Sequence, residues 1–118
     1  MHQYKELKVW QKSIAIADTI YEITKQFPNE EKFGLVAQMR RACVSMASNI
    51  AEGAGKTSSK EFIRFLEISD ASSYELDTQS IISLQQKFIT EEAFNKISNE
   101  LSEFQKMLFA PIKSNSKY

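Results

Sequence analysis

The chain has 118 residues, 42% hydrophobic and 25% charged, with 15 basic and 15 acidic side chains. That length and apolar content suit one folded domain with its own core and exclude a disordered chain. No apolar run of about 18 residues exists to span a membrane and no signal peptide opens the chain, so a cytoplasmic protein is expected.

The first predicted helix covers 7–27. Leu7, Trp10, Ile14, Ala17, Tyr21 and Thr24 follow steps of three and four. Val9, Ile16, Ile20, Ile23 and Phe27 form a second stripe. Together they cover roughly 200° of arc, wider than one buried face needs. Either one four-helix core absorbs both stripes, or one of them meets another subunit.

Pro28 and Asn29 break the chain, and Asn29 is the expected cap of a helix over 30–53. Its apolar side is Leu35, Met39, Ala42, Cys43, Met46 and Ile50, and its other side holds Gln38, Arg41, Ser45, Ser48, Asn49 and Glu52. Small residues between them allow close backbone approach. Gly55-Lys56-Thr57 looks like the end of a phosphate loop, but Ile50 stands where the first glycine belongs and no strand precedes it. The stretch reads instead as a corner, with Gly53 or Gly55 expected in the left-handed conformation that ends the helix.

Ser58 and Glu61 form a capping box for a third helix over 58–87. It carries Phe62, Phe65, Leu66, Ser69, Leu76 and Leu84, with a further stripe of Ile63, Tyr74, Ile81 and Phe88. Thr90 caps a fourth helix over 90–110, with one seam of Phe94, Ile97, Leu101, Phe104 and Leu108. Pro111 is expected to disrupt its end, and SNSKY reads as a frayed tail. Short connections make neighbours antiparallel. The fold class is all-α, an up-down-up-down four-helix bundle in a single domain, 1–118, and the wide stripes suggest a homo-oligomer.

Charge is uneven along the chain. Between 66 and 104 eight acids face two bases, and between 38 and 64 five bases face two acids. The single histidine, His2, rules out a multi-histidine metal site, and the single cysteine, Cys43, reads as a core thiol rather than a nucleophile. No cofactor loop, metal cluster or nucleophile–base pair is found, so no enzyme and no cofactor is expected.

Arg41, Ser45, Ser48 and Glu52 share one helix face. Arg41 and Glu52 lie about 16 Å apart along the axis, too far to pair directly. Arg64 is a candidate partner for Glu52, and Glu67 or Glu75 for an arginine. Three readings stand: a solvated face, a polar network between helices or subunits (Arg41, Ser45, Asn49, Glu52, Glu75), or an RNA or ligand site. A nucleic-acid surface would draw on Arg40, Arg41, Lys56, Lys60 and Arg64, with Lys5, Lys8 and Lys12 added from the N-terminal region.

The runs LKVWQKS, IYEIT, FPNEEKFGL, QMRRACVSMASNIAEG and EFIRFLEISDASSYELDTQ occur in this order. Over 7–79 they make the chain resemble the bacterial four-helix-bundle family encoded in intervening sequences of large-subunit ribosomal RNA genes. The matching positions are Trp10, Arg40, Arg41, Ser45, Asn49, Glu52, Gly53, Phe62, Phe65, Leu66, Ser72, Glu75 and Leu76. Ala71 stands where the family pattern tends to have glycine. The resemblance implies a homopentamer with itself as partner and an assembly or adaptor role not closely defined. A relative similar in fold, the accessory variability determinant of diversity-generating retroelements, is a basic pentameric barrel. It binds a reverse transcriptase and nucleic acid, whereas this chain is neutral. By that likeness RNA, ribosomal RNA in particular, or a nucleic-acid-processing protein is the alternative partner.

Overall fold

The computed structural model describes residues 2–114. Four α-helices make up the chain: α1 Lys8–Thr24, α2 Leu35–Ala54, α3 Ser59–Gln85 and α4 Glu91–Ser114. Short 3-10 turns stand at Tyr4–Glu6 and Asn29–Glu31, and no strand is present among the described residues. In space α1 packs on α2, α2 on α3, α3 on α4 and α4 back on α1, which closes a four-helix bundle.

The core is the set of positions where four helical periodicities converge. Met39, Ala42, Cys43, Met46 and Ile50 of α2 are fully buried. Facing them are Ile16 and Ile20 of α1, Leu66 and Leu76 of α3, and Ile97, Leu101, Phe104 and Leu108 of α4. Each large side chain removed from water stabilises the fold by roughly 1.5–3 kcal/mol. This core takes Ile16 and Ile20 of α1, and Phe27 just beyond it, from the second stripe, while Ile14 and Tyr21 of the first remain 37% and 40% exposed.

The helix ends depart from the sequence reading in four places. First, α1 stops at Thr24 rather than at 27. Gln26 and Phe27 donate to Ile23 and Thr24 in a tight turn, because the residue before Pro28 is pushed out of the helical region. Second, α2 begins at Leu35 rather than at 30. The backbone of Gly34, at φ −103° and ψ −110°, breaks the helical path, and Asn29 sits inside its own 3-10 turn. The carboxylate of Glu31, not Asn29, accepts from the amide of Leu35 at 3.3 Å.

Third, no glycine has positive φ. The left-handed residue is Lys87, φ 63°, at the end of α3, where the amide of Phe88 reaches back to the carbonyl of Ser83 at 2.9 Å. Gly53 serves packing instead. A Cβ there would lie 2.7 Å from the Cβ of Phe65 and 3.2 Å from the carbonyl oxygen of Phe62. Fourth, α4 runs through Pro111 to Ser114. Ile112 packs against the core and holds the chain helical past the proline. Of the tail SNSKY, Ser114 is the last residue of α4, and the four residues after it lie outside the described residues.

Two expected caps are formed: the hydroxyls of Ser58 and Thr90 accept from the amides of Glu61 and Ala93, both at 3.1 Å. The buried face of α3 is rich in serine, with Ser69, Ser72, Ser73, Ser80 and Ser83 all inside. Small side chains there, facing Met39, Ser45 and Met46, let α2 and α3 pack closely.

Gly53→Ala tests that approach. Alanine gains about 1 kcal/mol of helix propensity. Overpacking against Phe65 costs about 1–3 kcal/mol. The expected net loss of about 1 kcal/mol is read as a lower urea midpoint at unchanged slope; a raised midpoint would show that the seam yields freely.

Candidate functional site

The polar residues singled out above lie along the outer edge of the α2–α3 seam. Arg41 Nη2 donates to Glu75 Oε2 at 2.6 Å. One turn further on, the hydroxyls of Ser45 and Ser72 share a hydrogen bond of 2.9 Å. Asn49 Nδ2 donates to the carbonyl of Ser45 at 2.8 Å and to its hydroxyl at 3.0 Å. Ser69 adds a buried bond to the carbonyl of Met46 at 2.8 Å. Residue numbers fall along α3 as they rise along α2, so the set forms a ladder. Gln79 reaches the same Glu75 oxygen at 3.5 Å, while its own Oε1 is buried without a partner.

The structure therefore brings together Arg41, Ser45, Asn49 and Glu75. It does not bring in Glu52, which is exposed and makes no ion pair, nor does Arg64 pair with it. Glu75 rather than Glu67 is the acid that meets Arg41. Both partners are well exposed, so the pair adds at most about 1 kcal/mol and its outward side stays open to a further contact.

The basic candidates divide between two places. Arg40 is held against α1: its Nε donates to Thr24 Oγ1 at 3.0 Å, its Nη2 to the Tyr21 carbonyl at 3.3 Å, and its guanidinium lies 4.5 Å from the centre of the Tyr21 ring. Lys56, Lys60 and Arg64 stand at the α2–α3 corner, about 20 Å along α2 from Arg41. There Lys56 Nζ lies 5.3 Å from the Phe65 ring, while Lys60 and Arg64 are exposed. The N-terminal turn joins this end: the amide of His2 donates to the carbonyl of Ala54 at 2.8 Å, and its ring stacks on Phe62 at 4.8 Å. Lys5 thus belongs to the same end, whereas Lys12 is paired with Glu103. That pairing holds the Glu103 carboxyl below its ordinary range.

Sequence reasoning missed Tyr21, Thr24 and Gln79 as polar partners. Tyr21 and Thr24 sit three apart on an apolar stripe, and that spacing, matched to an arginine on the next helix, was the available signal.

On the opposite side, α3 and α4 leave a groove of 430 Å³ lined by Glu67, Asp70, Tyr74, Gln105 and Phe109 among others. Gln105 Nε2 donates to Ser73 Oγ at 3.0 Å across its floor. Burial raises the carboxyl of Asp70 above its ordinary value.

Cys43 is fully buried, and burial pushes its thiol up to about 11. Its Sγ donates to the carbonyl of Arg40 at 3.2 Å. A thiol of this kind is protonated at neutral pH and a poor nucleophile. The unfolded chain ionises it near 8.5, before the folded one does. Below that pH the contribution to stability is constant, and it is lost as pH rises toward 11. The expected extra loss is roughly 3 kcal/mol, read from urea midpoints against Cys43→Ala; an equal alkaline loss in the variant would assign it to other groups.

Among the described residues no helix is long and apolar enough to cross a membrane. No curated protein matches the chain. Among solved structures, six chains match. One is a protein of unknown function from the S23 ribosomal protein family of Bacteroides thetaiotaomicron, 30% identical, with a TM-score of 0.82 over 89% of this chain and 95% of that one. A family model described as 23S rRNA-intervening sequence protein matches residues 5–110. With four helices, the ordered motifs and this match over most of its length, the chain belongs to the 23S rRNA-intervening sequence protein family.

Proposed function

We propose that the protein is a non-enzymatic, up-down-up-down bundle that assembles with copies of itself and presents a repeated surface to a partner, as an adaptor. One observation carries this reading: apolar side chains left outside a core that is already complete. Ile14, Tyr21, Val44, Ile68, Tyr74, Ile81, Ile82 and Phe109 are all between 37% and 63% exposed. They recur on several helix faces, and exposed apolar side chains that gather into a patch mark interaction sites. Support for the alternating helix directions comes from contacts such as Thr24 with Arg40, Ser45 with Ser72 and Ser73 with Gln105. The count of five subunits rests on the resemblance to the intervening-sequence family. Light scattering on the eluting protein is expected to give a mass near five times 13.5 kDa. A mass of one chain at micromolar concentration would overturn the assembly.

A second reading, binding of structured RNA, is favoured by the gathering of Lys5, Lys56, Lys60 and Arg64 at one end of the bundle. Arg40 and Arg41 contribute less to it, since both are already engaged within the chain. Repetition of that end around a ring multiplies a weak patch by avidity. With four phosphate contacts, log affinity for a stem-loop RNA falls against log salt with a slope of about −3 to −4, and Lys60→Ala with Arg64→Ala reduces that slope by about 2. A flat salt dependence removes the reading.

A further inference from the structure

We propose that the turn from His2 to Glu6 is a releasable strap. It hinges at Leu7 and covers a patch of Ala54, Phe62 and Trp10 that opening uncovers. The inference needs neither an oligomer nor an RNA.

The hinge is anchored on the side of the bundle. Leu7 packs against the core. Its backbone is extended, φ −73° and ψ 125°, between the 3-10 turn Tyr4–Glu6 and α1. The amide of Gln11 donates to the carbonyl of Leu7 at 3.0 Å, so the first turn of α1 closes on the hinge itself and survives release. A side-chain bond crosses it, from Gln11 Nε2 to the carbonyl of Lys5 at 3.0 Å.

The strap is lightly held. No residue of its 3-10 turn is buried, and His2 and Gln3 are exposed. Inside it, the amides of Glu6 and Leu7 donate to the carbonyls of Gln3 and Tyr4 at 3.0 and 3.1 Å. Its outer end is tied by the His2 amide on the Ala54 carbonyl at 2.8 Å and by the His2 ring on Phe62 at 4.8 Å. Tyr4 meets Trp10 edge-on at 5.2 Å. A cavity of 550 Å³ lined by His2, Gln3, Tyr4 and Lys5 keeps the turn from packing flush. Fixing the backbone of one residue costs about as much as an exposed hydrogen bond returns, or more. An ordered turn on so few ties has an opening equilibrium of its own, separate from unfolding of the bundle.

What lies beneath loses little by release. Ala54 ends α2 and is fully buried. Its carbonyl returns to water, as the last carbonyls of a helix ordinarily do. Phe62 and Trp10 are half-buried with the strap in place and keep their contacts with the core. Closed, the strap hides part of both rings; open, it offers them as apolar surface.

Amide exchange followed by NMR on the whole chain tests the opening, with Trp10, the single tryptophan, as a fluorescent reporter of the cover. The amides of Glu6 and Leu7 are expected to exchange at least about a hundredfold faster than that of buried Ile20, at a rate that low urea does not change. His2→Pro removes the amide donor and the ring together. Its circular dichroism spectrum and melting curve are expected to match wild type, while acrylamide quenches Trp10 about twofold more efficiently. Exchange of Glu6 and Leu7 at the rate of Ile20 would make the turn part of the cooperative core and overturn the strap. Unchanged quenching in the folded variant would show that release uncovers nothing. A variant that fails to fold would show that the bundle depends on the turn, and would overturn the inference equally.

Discussion

Close approach of α2 to α3 is the constraint on which the rest of the molecule depends. At Gly53 the α2 backbone comes so near Phe62 and Phe65 that a single added carbon has no room. Further along, Ser69 and Ser72 face Met46 and Ser45 within hydrogen-bonding distance. Two helices at this spacing act as one unit, and α1 and α4 pack on it as covers. The polar ladder on its outer edge follows from the same closeness: Arg41 reaches Glu75 only because the backbones between them are near.

Much of this was legible in the sequence, for reasons that differ by element. The α4 seam from Ile97 to Leu108 is strictly periodic and large, and such a pattern has no other use than burial. The caps Ser58 and Thr90 are local chemistry and were found as such. The four misread ends are places where local preference met tertiary packing. Gly34 broke a pattern that looked helical on both sides. Pro111 stayed in a helix because Ile112 had a core to join. Lys87 took a conformation that favours glycine, stabilised by the turn between α3 and α4. Of the candidate site, the Arg41–Glu75 pair could be suspected from charge and spacing. The bonds from Arg40 to Tyr21 and Thr24 could not, since they depend on how α1 is rotated against α2.

That rotation also decides which side chains remain for other molecules. The core takes both α1 stripes in part: Leu7, Trp10, Ala17 and Thr24 of the first pack inward, and Ile14 and Tyr21 stay out. With Arg40 laid across it, the Tyr21 ring is covered by a charged group rather than buried. Family membership and the matching fold of a protein from Bacteroides thetaiotaomicron agree with the helical architecture. The arrangement of apolar and charged patches on the outside belongs to this chain's own side chains.

The serines of α3 carry a consequence for how the two central helices can slip. Ser73, Ser80 and Ser83 donate to carbonyls of their own helix, to Asp70, Leu76 and Gln79. Satisfied at home, Ser73 and Ser80 place little directional demand on α2. Four directed contacts tie the two helices to one register: Ser69 to Met46, Ser45 with Ser72, Arg41 to Glu75 and Ser83 to the Met39 sulfur. On α2 they fall between Met39 and Met46, with Gly53 toward one end. Alignment of the pair is therefore set within that stretch of α2, like a pin through a smooth joint, and the ends of both helices follow from it.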